Sequence, residues 1–217
     1  MKGEPIPVRV LSVRTIPQAA EALKESLGLT KKERSIGILT TDCDDASYVA
    51  IDAATKMAAV RVVYAKSFYA GSGNASTELA GEFIGILAAE SPSEVRSGLE
   101  AALEYLSGGC CFESANDTGT ICYFAHCISR TGSYLSGVAS ISEGTPMAYL
   151  IAPPLEAMMG LDAALKAADV KMACFYGPPT ETNFAGALLT GDQAACIAAC
   201  EAFADMVRDV ADEPRRF

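Results

Sequence analysis

Three carboxylates stand within four residues in the segment TDCDD at 41–45. An apolar strand-like run ends there and a helix-like run begins, and aspartates at a helix N-terminus satisfy free backbone N–H groups and complement the helix dipole. Capping accounts for one carboxylate fully and for a second in part, while a third adjacent negative charge attracts a cation. A hard metal ion needs oxygen ligands at more positions than this loop supplies alone. The residues by themselves therefore favour helix capping, with binding of a protonated amine as the alternative.

Eight cysteines and a single histidine, His126, are the other residues that could carry chemistry. No C-x-x-C pair is present, and structural zinc usually needs paired ligands, so no metal site is predicted. Cys196 and Cys200 lie four residues apart on a strongly periodic helix, which predicts buried core thiols. Cys110 or Cys111 with His126 is the one nucleophile–base combination, and no third group to orient it is indicated. We therefore expect no catalytic residues and no enzyme.

A phosphate-binding role is disfavoured by both motif and charge. The segment GSGNAS at 71–76 lacks the Gly-x-Gly-x-x-Gly order and a following lysine, and a predicted strand follows it instead of a helix. The net charge is −10 and the pI is near 4.6, whereas nucleic-acid affinity depends on clustered Lys and Arg. We expect no nucleic-acid partner.

The apolar content is high but is not arranged for a membrane. Half of the residues are hydrophobic, which is enough for a sizeable core, yet no apolar run approaches the ~20 residues needed to span a bilayer. Charges and prolines interrupt the N-terminal stretch MKGEPIPVRVLSVRT, unlike the core of a signal peptide. We expect reduced cysteines in a cytosol and no membrane partner.

Hydrophobic periodicity and turn residues predict an alternation of strands and helices. Strands are predicted over 8–16, 34–40, 60–69, 82–90, 146–152, 170–177 and 183–191. Helices are predicted over 17–28, 41–59, 91–109, 153–169 and 192–210. The small, polar segments 70–81 and 178–182 are predicted loops, and the middle section 110–135 receives no assignment.

The chain contains an internal duplication. IDAATKMAAVRVVYA at 51–65 matches LDAALKAADVKMACF at 161–175, and Gly85 matches Gly186 further on. The number of residues that separates the two copies is smaller at the Gly85–Gly186 match than at the first match. The loop after the central strand is therefore longer in the first copy. We predict two domains, at 1–109 and 110–217, each a normal size for a small domain.

The second copy, LEAMMGLDAALKAADVKMACF, resembles the bacterial microcompartment shell domain, whose run is A-x-x-A-x-D-A-x-x-K-A-A-x-V followed by a strand and a pore loop. RSIGILTTDCDDASYVAIDAATK, SRTGSYLS and PMAYLIAPPLEA are similar to the L-type shell proteins of the ethanolamine-utilization microcompartment, from about residue 8 to 208. The resemblance implies an α/β (α+β) fold of two tandem, circularly permuted shell domains. Each would have an antiparallel or mixed sheet flanked by helices, and three chains would form a pseudohexameric trimer.

The same resemblance implies a structural role. We expect a homotrimeric tile that joins other microcompartment shell proteins laterally, inside the bacterial cytoplasm. Its central pore would be gated by loops, and small acidic pores within each subunit would bind ethanolamine. No cofactor is expected to be required, although cobalamin is a plausible transported or bound molecule.

The resemblance also implies site residues. The ethanolamine site would be formed by Asp44, Asp45, Glu82, Phe112 (through its carbonyl) and Thr182. The central-pore loops would contribute Tyr69, Gly71, Ser72, Gly73, Asn74, Thr180, Thr182, Asn183 and Phe184. Loops poor in apolar anchors can change arrangement, although Tyr69 and Phe184 could equally be surface aromatics packed on their own loops. The alternative function is a soluble oligomeric regulator that senses a small amine, which would fit the acidic cluster equally well.

Overall fold

Two compact units make up the chain. The computed structural model describes residues 1–68, Leu79, 81–180 and 182–216. One unit, here the N-terminal unit, contains Pro7–Cys110 and Gly132–Leu135. The other, the C-terminal unit, contains Met1–Ile6, Cys111–Thr131 and the chain from Ser136 onwards.

Strands and helices alternate along the sequence. The strands are β1 (Pro5–Ile6), β2 (Val10–Ile16), β3 (Ser35–Thr41), β4 (Arg61–Ser67), β5 (Phe83–Ala89), β6 (Phe112–Ser114), β7 (Cys122–Ile128), β8 (Met147–Ala152), β9 (Lys171–Tyr176) and β10 (Ala185–Thr190). The helices are α1 (Glu21–Ser26), α2 (Asp44–Met57), α3 (Pro92–Ser107), α4 (Ser133–Ala139), α5 (Pro154–Ala167) and α6 (Gln193–Asp212).

The N-terminal unit is built on a four-stranded antiparallel sheet in the order β2-β3-β5-β4. The central strands β3 and β5 are almost entirely buried; β5 is apolar throughout, and β3 is apolar between Ser35 and Thr40. Helices α2 and α3 pack against the sheet and against each other. Gly37 allows α3 to approach β3, since a Cβ there would lie 2.6 Å from Val95. The sequence signals at the start of α3 act as predicted: the Ser91 hydroxyl accepts the Glu94 N–H (3.3 Å), and Pro92 opens the helix.

The C-terminal unit is built on a six-stranded antiparallel sheet in the order β1-β6-β7-β8-β10-β9. Its part β7-β8-β10-β9 repeats the strand order of the other unit, with α5 and α6 in the places of α2 and α3. The predicted apolar stripe of α6 is buried, including Cys196, Cys200 and Phe203. Helix α5 comes close to α6 because Gly160 has no side chain, and a Cβ there would lie 2.6 Å from the Phe203 ring.

The predicted elements are confirmed, and the unassigned middle section supplies the missing ones. Residues 110–135 contain β6, β7 and the start of α4. Strand β7 and helix α4 are the counterparts of β2 and α1, so the repeated unit is longer than the sequence pattern showed. In the described part of the chain, no helix has both the length and the apolar character needed to cross a bilayer.

Candidate functional site: the acidic cluster at the start of α2

Two buried carboxylates open helix α2. Strand β3 ends at Thr41, whose hydroxyl donates to the Cys43 carbonyl (2.8 Å), and the helix begins at Asp44. The N-cap residue, Cys43, makes no side-chain capping bond. The Asp44 carboxylate instead accepts the N–H of Asp45 (2.9 Å) within the first turn. Both aspartates are buried, so the capping function predicted from the sequence is combined with loss of water around the charges.

The third carboxylate of the TDCDD segment has its own cation. Asp42 accepts the Arg9 backbone N–H and the Arg9 Nε–H, both at 2.8 Å. The Arg9 side chain is 77% exposed, so this pair compensates the charge of Asp42 but contributes little stability. The cation that compensates one of the three negative charges is therefore Arg9, which directly precedes β2. No local sequence pattern could identify this pairing.

Glu82 joins the cluster from the strand beyond the long loop. Its backbone N–H donates to the Thr41 carbonyl (2.9 Å), and its carbonyl accepts the Phe68 N–H (3.0 Å), so Glu82 extends the sheet between β3 and β4. Gly81 makes this approach possible: its φ is +65°, and a Cβ there would lie 2.0 Å from the Thr41 carbonyl oxygen. Burial, then the charges of Asp44 and Asp42, raise the pKa of Glu82.

A hydroxyl network supports Asp44. The Ser67 side chain, at the end of β4, hydrogen-bonds to Asp44 and lies 2.9 Å from the Tyr48 hydroxyl. Burial raises the pKa of Asp44, and these hydrogen bonds only partly oppose the shift. Burial also raises the pKa of Tyr48, with further contributions from the two aspartates. Neither Ser67 nor Tyr48 is among the residues predicted from the sequence. Tyr48 follows Asp44 by one helical turn, and this spacing is the signal that could have identified it.

The surroundings of Asp44 and Glu82 disfavour their negative charges. The groups that act on Asp44 and Glu82 are carboxylates, hydroxyls and backbone amides, and in the described ranges neither residue forms a salt bridge with Lys or Arg. No group of His, Cys, Asp and Glu side chains among the described residues could hold a metal ion. A small cation with hydrogen-bond donors, such as a protonated amine, would relieve the repulsion between the carboxylates.

The remaining predicted ligand residues belong to the C-terminal unit. Phe112, in β6, pairs with Ile6 of β1 and packs against Phe124, with ring centroids 5.4 Å apart. Thr182 lies in the loop between β9 and β10, where its N–H and hydroxyl approach the Thr180 hydroxyl at 3.4 and 3.3 Å.

The described residues of the predicted pore loop in the C-terminal unit, Thr180 and 182–184, are linked by backbone hydrogen bonds. The Thr180 N–H donates to the Phe184 carbonyl (2.9 Å), and the Asn183 N–H donates to the Thr180 carbonyl (3.2 Å). Asn183 has φ +65°, a left-handed conformation that asparagine tolerates. The Phe184 ring meets the Phe112 ring edge-on at 5.8 Å, so it packs on a strand of its own unit as well as bordering the loop.

The structure thus brings together two groups of predicted residues. Asp44, Asp45 and Glu82 lie close together in the N-terminal unit, and Phe112 contacts Phe184 in the C-terminal unit. The other predicted pore residues lie outside the described residues, as does the GSGNAS segment: Tyr69, Gly71, Ser72, Gly73 and Asn74. Ligand binding and pore formation by any of these residues stay predictions.

The thiol–histidine alternative finds no support in the geometry. Cys110 is buried in the N-terminal unit, where its thiol approaches the Ala46 carbonyl at 3.8 Å. Cys111 and His126 belong to the C-terminal unit, and burial raises the pKa of the Cys111 thiol. A catalytic thiol needs a lowered pKa. His126 stacks on Phe124 (5.5 Å). All eight cysteines are free thiols.

Known proteins similar to this chain agree with its fold. The BMC-domain family model matches residues 35–116. The bacterial microcompartment shell protein EutL of Clostridium perfringens is 59% identical over 217 residues, which is all of both chains. The chain belongs to the EutL family of bacterial microcompartment shell proteins. The crystal structure of the ethanolamine utilization protein EutL from Leptotrichia buccalis superposes with a TM-score of 0.97 at 59% identity, covering both chains completely.

A more distant likeness extends the fold to a second kind of shell protein. The trimeric microcompartment shell protein PduB superposes with a TM-score of 0.74 at 19% identity, covering 94% of this chain and 89% of that chain. At that identity the likeness shows the fold alone. The predicted tandem shell-domain fold and the structural role in a microcompartment shell are confirmed, and the regulator alternative is not supported by these relatives.

Proposed function

We propose that this EutL-family protein is a non-enzymatic tile that assembles as a homotrimer. Support comes from the full-length likeness to EutL and from the repeated strand order of the two units. Two similar units in each of three chains would make a ring of six. The proposal keeps the predicted division into one shell domain at 1–109 and one at 110–217. Native mass spectrometry of the purified chain tests it: the expected species is three chains, and a stable dimer or tetramer would contradict the proposal.

We further propose that the acidic cluster binds ethanolamine. The observation that carries this proposal is the grouping of two buried carboxylates, Asp44 and Asp45, with the partly buried carboxylate of Glu82. The pKa values of Asp44 and Glu82 are raised, and no described Lys or Arg forms a salt bridge with either of them. The ammonium group would bind between the carboxylates, and the ligand hydroxyl would exchange hydrogen bonds with neighbouring groups. Phe112, through its carbonyl, and Thr182 are proposed as further contacts.

The affinity should be modest because the ligand is small. At a ceiling of roughly 1.5 kcal/mol per heavy atom, ethanolamine gains no more than about 6 kcal/mol. That limit corresponds to a Kd no tighter than about 40 µM. Cluster variants should bind more weakly still, since each charge-assisted hydrogen bond contributes ~1.5–3 kcal/mol.

Calorimetric titration with ethanolamine tests the site. Asp44→Asn and Glu82→Gln should each weaken binding by at least about tenfold. Asp169 is an exposed aspartate between α5 and β9, and Asp169→Asn should leave binding unchanged. Ethanol, which has the hydroxyl but no ammonium group, should not bind. Unchanged affinity in both cluster variants would refute the site, and equal binding of ethanol would refute the role of charge.

A gated central pore is proposed for the loops that follow β4 and β9. Thr180, Thr182, Asn183 and Phe184 would contribute from the second loop, with the first loop contributing the residues outside the described ranges. Cobalamin is proposed as a transported or bound molecule and is not required for folding. Equilibrium dialysis of the trimer against cobalamin would test this; no retention at millimolar protein would exclude binding.

A further inference from the structure

Helices α2 and α5 are copies of one another, but they are buried to very different extents. Each has 14 residues, of which ten are buried in α2 and four in α5. Because the sheets on which they pack have the same strand order, the difference arises from what covers the outer faces of the two helices. One helix face is covered within the chain, and its copy is not.

The cover on α2 is the segment Gly132–Leu135. Asp52 is fully buried, and its carboxylate accepts the N–H groups of Gly132 (2.7 Å) and Leu135 (2.8 Å). One turn further along, the Thr55 hydroxyl accepts the Ser133 N–H (3.1 Å). One turn before, the Tyr48 ring stacks on Tyr134 with centroids 6.1 Å apart. Three positions on one face of α2 therefore hold this segment.

The corresponding three positions of α5 are exposed. The offset of the duplication places Met158, Asp162 and Leu165 where α2 has Tyr48, Asp52 and Thr55. Met158 is 46% and Leu165 38% exposed. The Asp162 side chain is 62% exposed and pairs with Lys166 at 2.6 Å. This surface of α5, the α5 face, combines two exposed apolar side chains with one carboxylate.

The chain also carries a copy of the covering segment. Helix α4 begins at Ser133 and its counterpart α1 begins at Glu21, so Gly132–Leu135 corresponds to Ala20–Leu23. All four residues Ala20–Leu23 are exposed. The N-cap residue of α1, Ala20, makes no side-chain capping bond. Each chain thus has an uncovered helix face and an exposed segment of the kind that covers such a face.

We propose that the α5 face of one chain binds the Ala20–Leu23 segment of a second copy of this chain. A head-to-tail contact of this kind forms a ring when the rotation closes, and it rests on the proposed trimer, in which three such contacts would complete the six-unit ring. Asp162 would accept backbone N–H groups of the second copy's segment, as Asp52 does within the chain. Leu165 would pack on Ala20 of the second copy, and Met158 would pack on Ala22.

The two contacts differ in one respect. Gly132 has no room for a side chain, since a Cβ there would lie 2.3 Å from the Thr55 hydroxyl. Ala20 carries a methyl group, and Leu165 replaces Thr55. The contact between copies is therefore more apolar than the one within the chain, and it lies slightly further from the helix axis.

Photo-crosslinking with peptide mapping tests this contact. p-Benzoylphenylalanine is introduced at Leu165 and, in a second variant, at Met158, in a mixture of ¹⁴N- and ¹⁵N-labelled chains. Trypsin cleavage after Arg14 and Lys24 isolates the peptide 15–24, which contains the segment. We expect this peptide to be crosslinked to a chain of the other isotope label. The same probe at Ile197, an exposed residue of α6, should not reach it.

The outcomes separate the two proposals. Trimers whose crosslinks from both positions map elsewhere, or that give none, would overturn the α5-face contact and leave the trimer standing. Crosslinks to 15–24 in open chains or dimers would support the contact and contradict the closed trimer. A monomer without intermolecular crosslinks would overturn both.

Discussion

Replacing Asp52 with alanine should destabilise the N-terminal unit strongly. The side chain is fully buried and accepts two backbone N–H groups, from Gly132 and Leu135. Leaving a buried donor without a partner costs ~1–3 kcal/mol, so two donors cost about 2–6 kcal/mol. The ion pair with Lys56, at 3.7 Å, adds less than about 1 kcal/mol because the lysine is partly exposed. We expect a loss of about 4 kcal/mol, a large part of the stability of an ordinary domain.

Urea unfolding followed by circular dichroism at one fixed chain concentration measures this loss. Asp52→Asn keeps one acceptor oxygen and should cost roughly half as much. Asp169→Ala, which removes an exposed carboxylate of the second repeat, should change the unfolding free energy by less than about 0.5 kcal/mol. If Asp52→Ala also changed it by less than about 0.5 kcal/mol, the carboxylate would not hold the Gly132–Leu135 segment, and the comparison with Asp162 would lose its basis.

Two further predictions concern charge and packing. The pKa values of Asp44 and Glu82 are raised in the folded state, so the folded protein binds protons at these two residues more tightly than the unfolded chain does. The stability of the fold therefore falls as the pH rises from the ordinary carboxyl pKa through the raised values. Asp44→Asn should therefore flatten this pH dependence in urea unfolding and raise stability at pH 7, and a decrease at pH 7 would contradict the assigned shift. Gly160→Ala should destabilise by ~1–3 kcal/mol, since the methyl group meets the Phe203 ring. Gly137→Ala, also in a helix but with open space at the Cβ, should stabilise by up to about 1 kcal/mol; equal thermal shifts in the two variants would refute the packing argument.

The secondary structure could be predicted where the hydrophobic periodicity agreed with the residues that typically start or end helices and strands. Strand β5 and helix α6 have long apolar patterns, and α3 has Ser91 and Pro92 at its start, so their positions follow from the sequence. The middle section was not readable because β6 has three residues and α4 seven. Elements of that length are set by their neighbours in the sheet and not by a pattern of their own.

The acidic cluster could be predicted only in part from the sequence. Asp44 and Asp45 are adjacent in sequence, so their proximity was certain. Their burial, the pairing of Asp42 with Arg9 and the approach of Glu82 depend on how β2 and β5 flank β3, which no local window contains. The difference in burial between Asp52 and Asp162 could not be predicted either. The two aspartates lie in nearly identical stretches of sequence and differ only in the segment that covers them.

Electron microscopy of the purified protein at moderate concentration tests the central claim most directly. A shell tile of the EutL family should form trimers that associate edge to edge into flat sheets, and the sheets should persist without any nucleotide or metal. Discrete particles of fixed size that never extend into sheets would contradict the shell role, because a closed oligomer is what a soluble regulator forms.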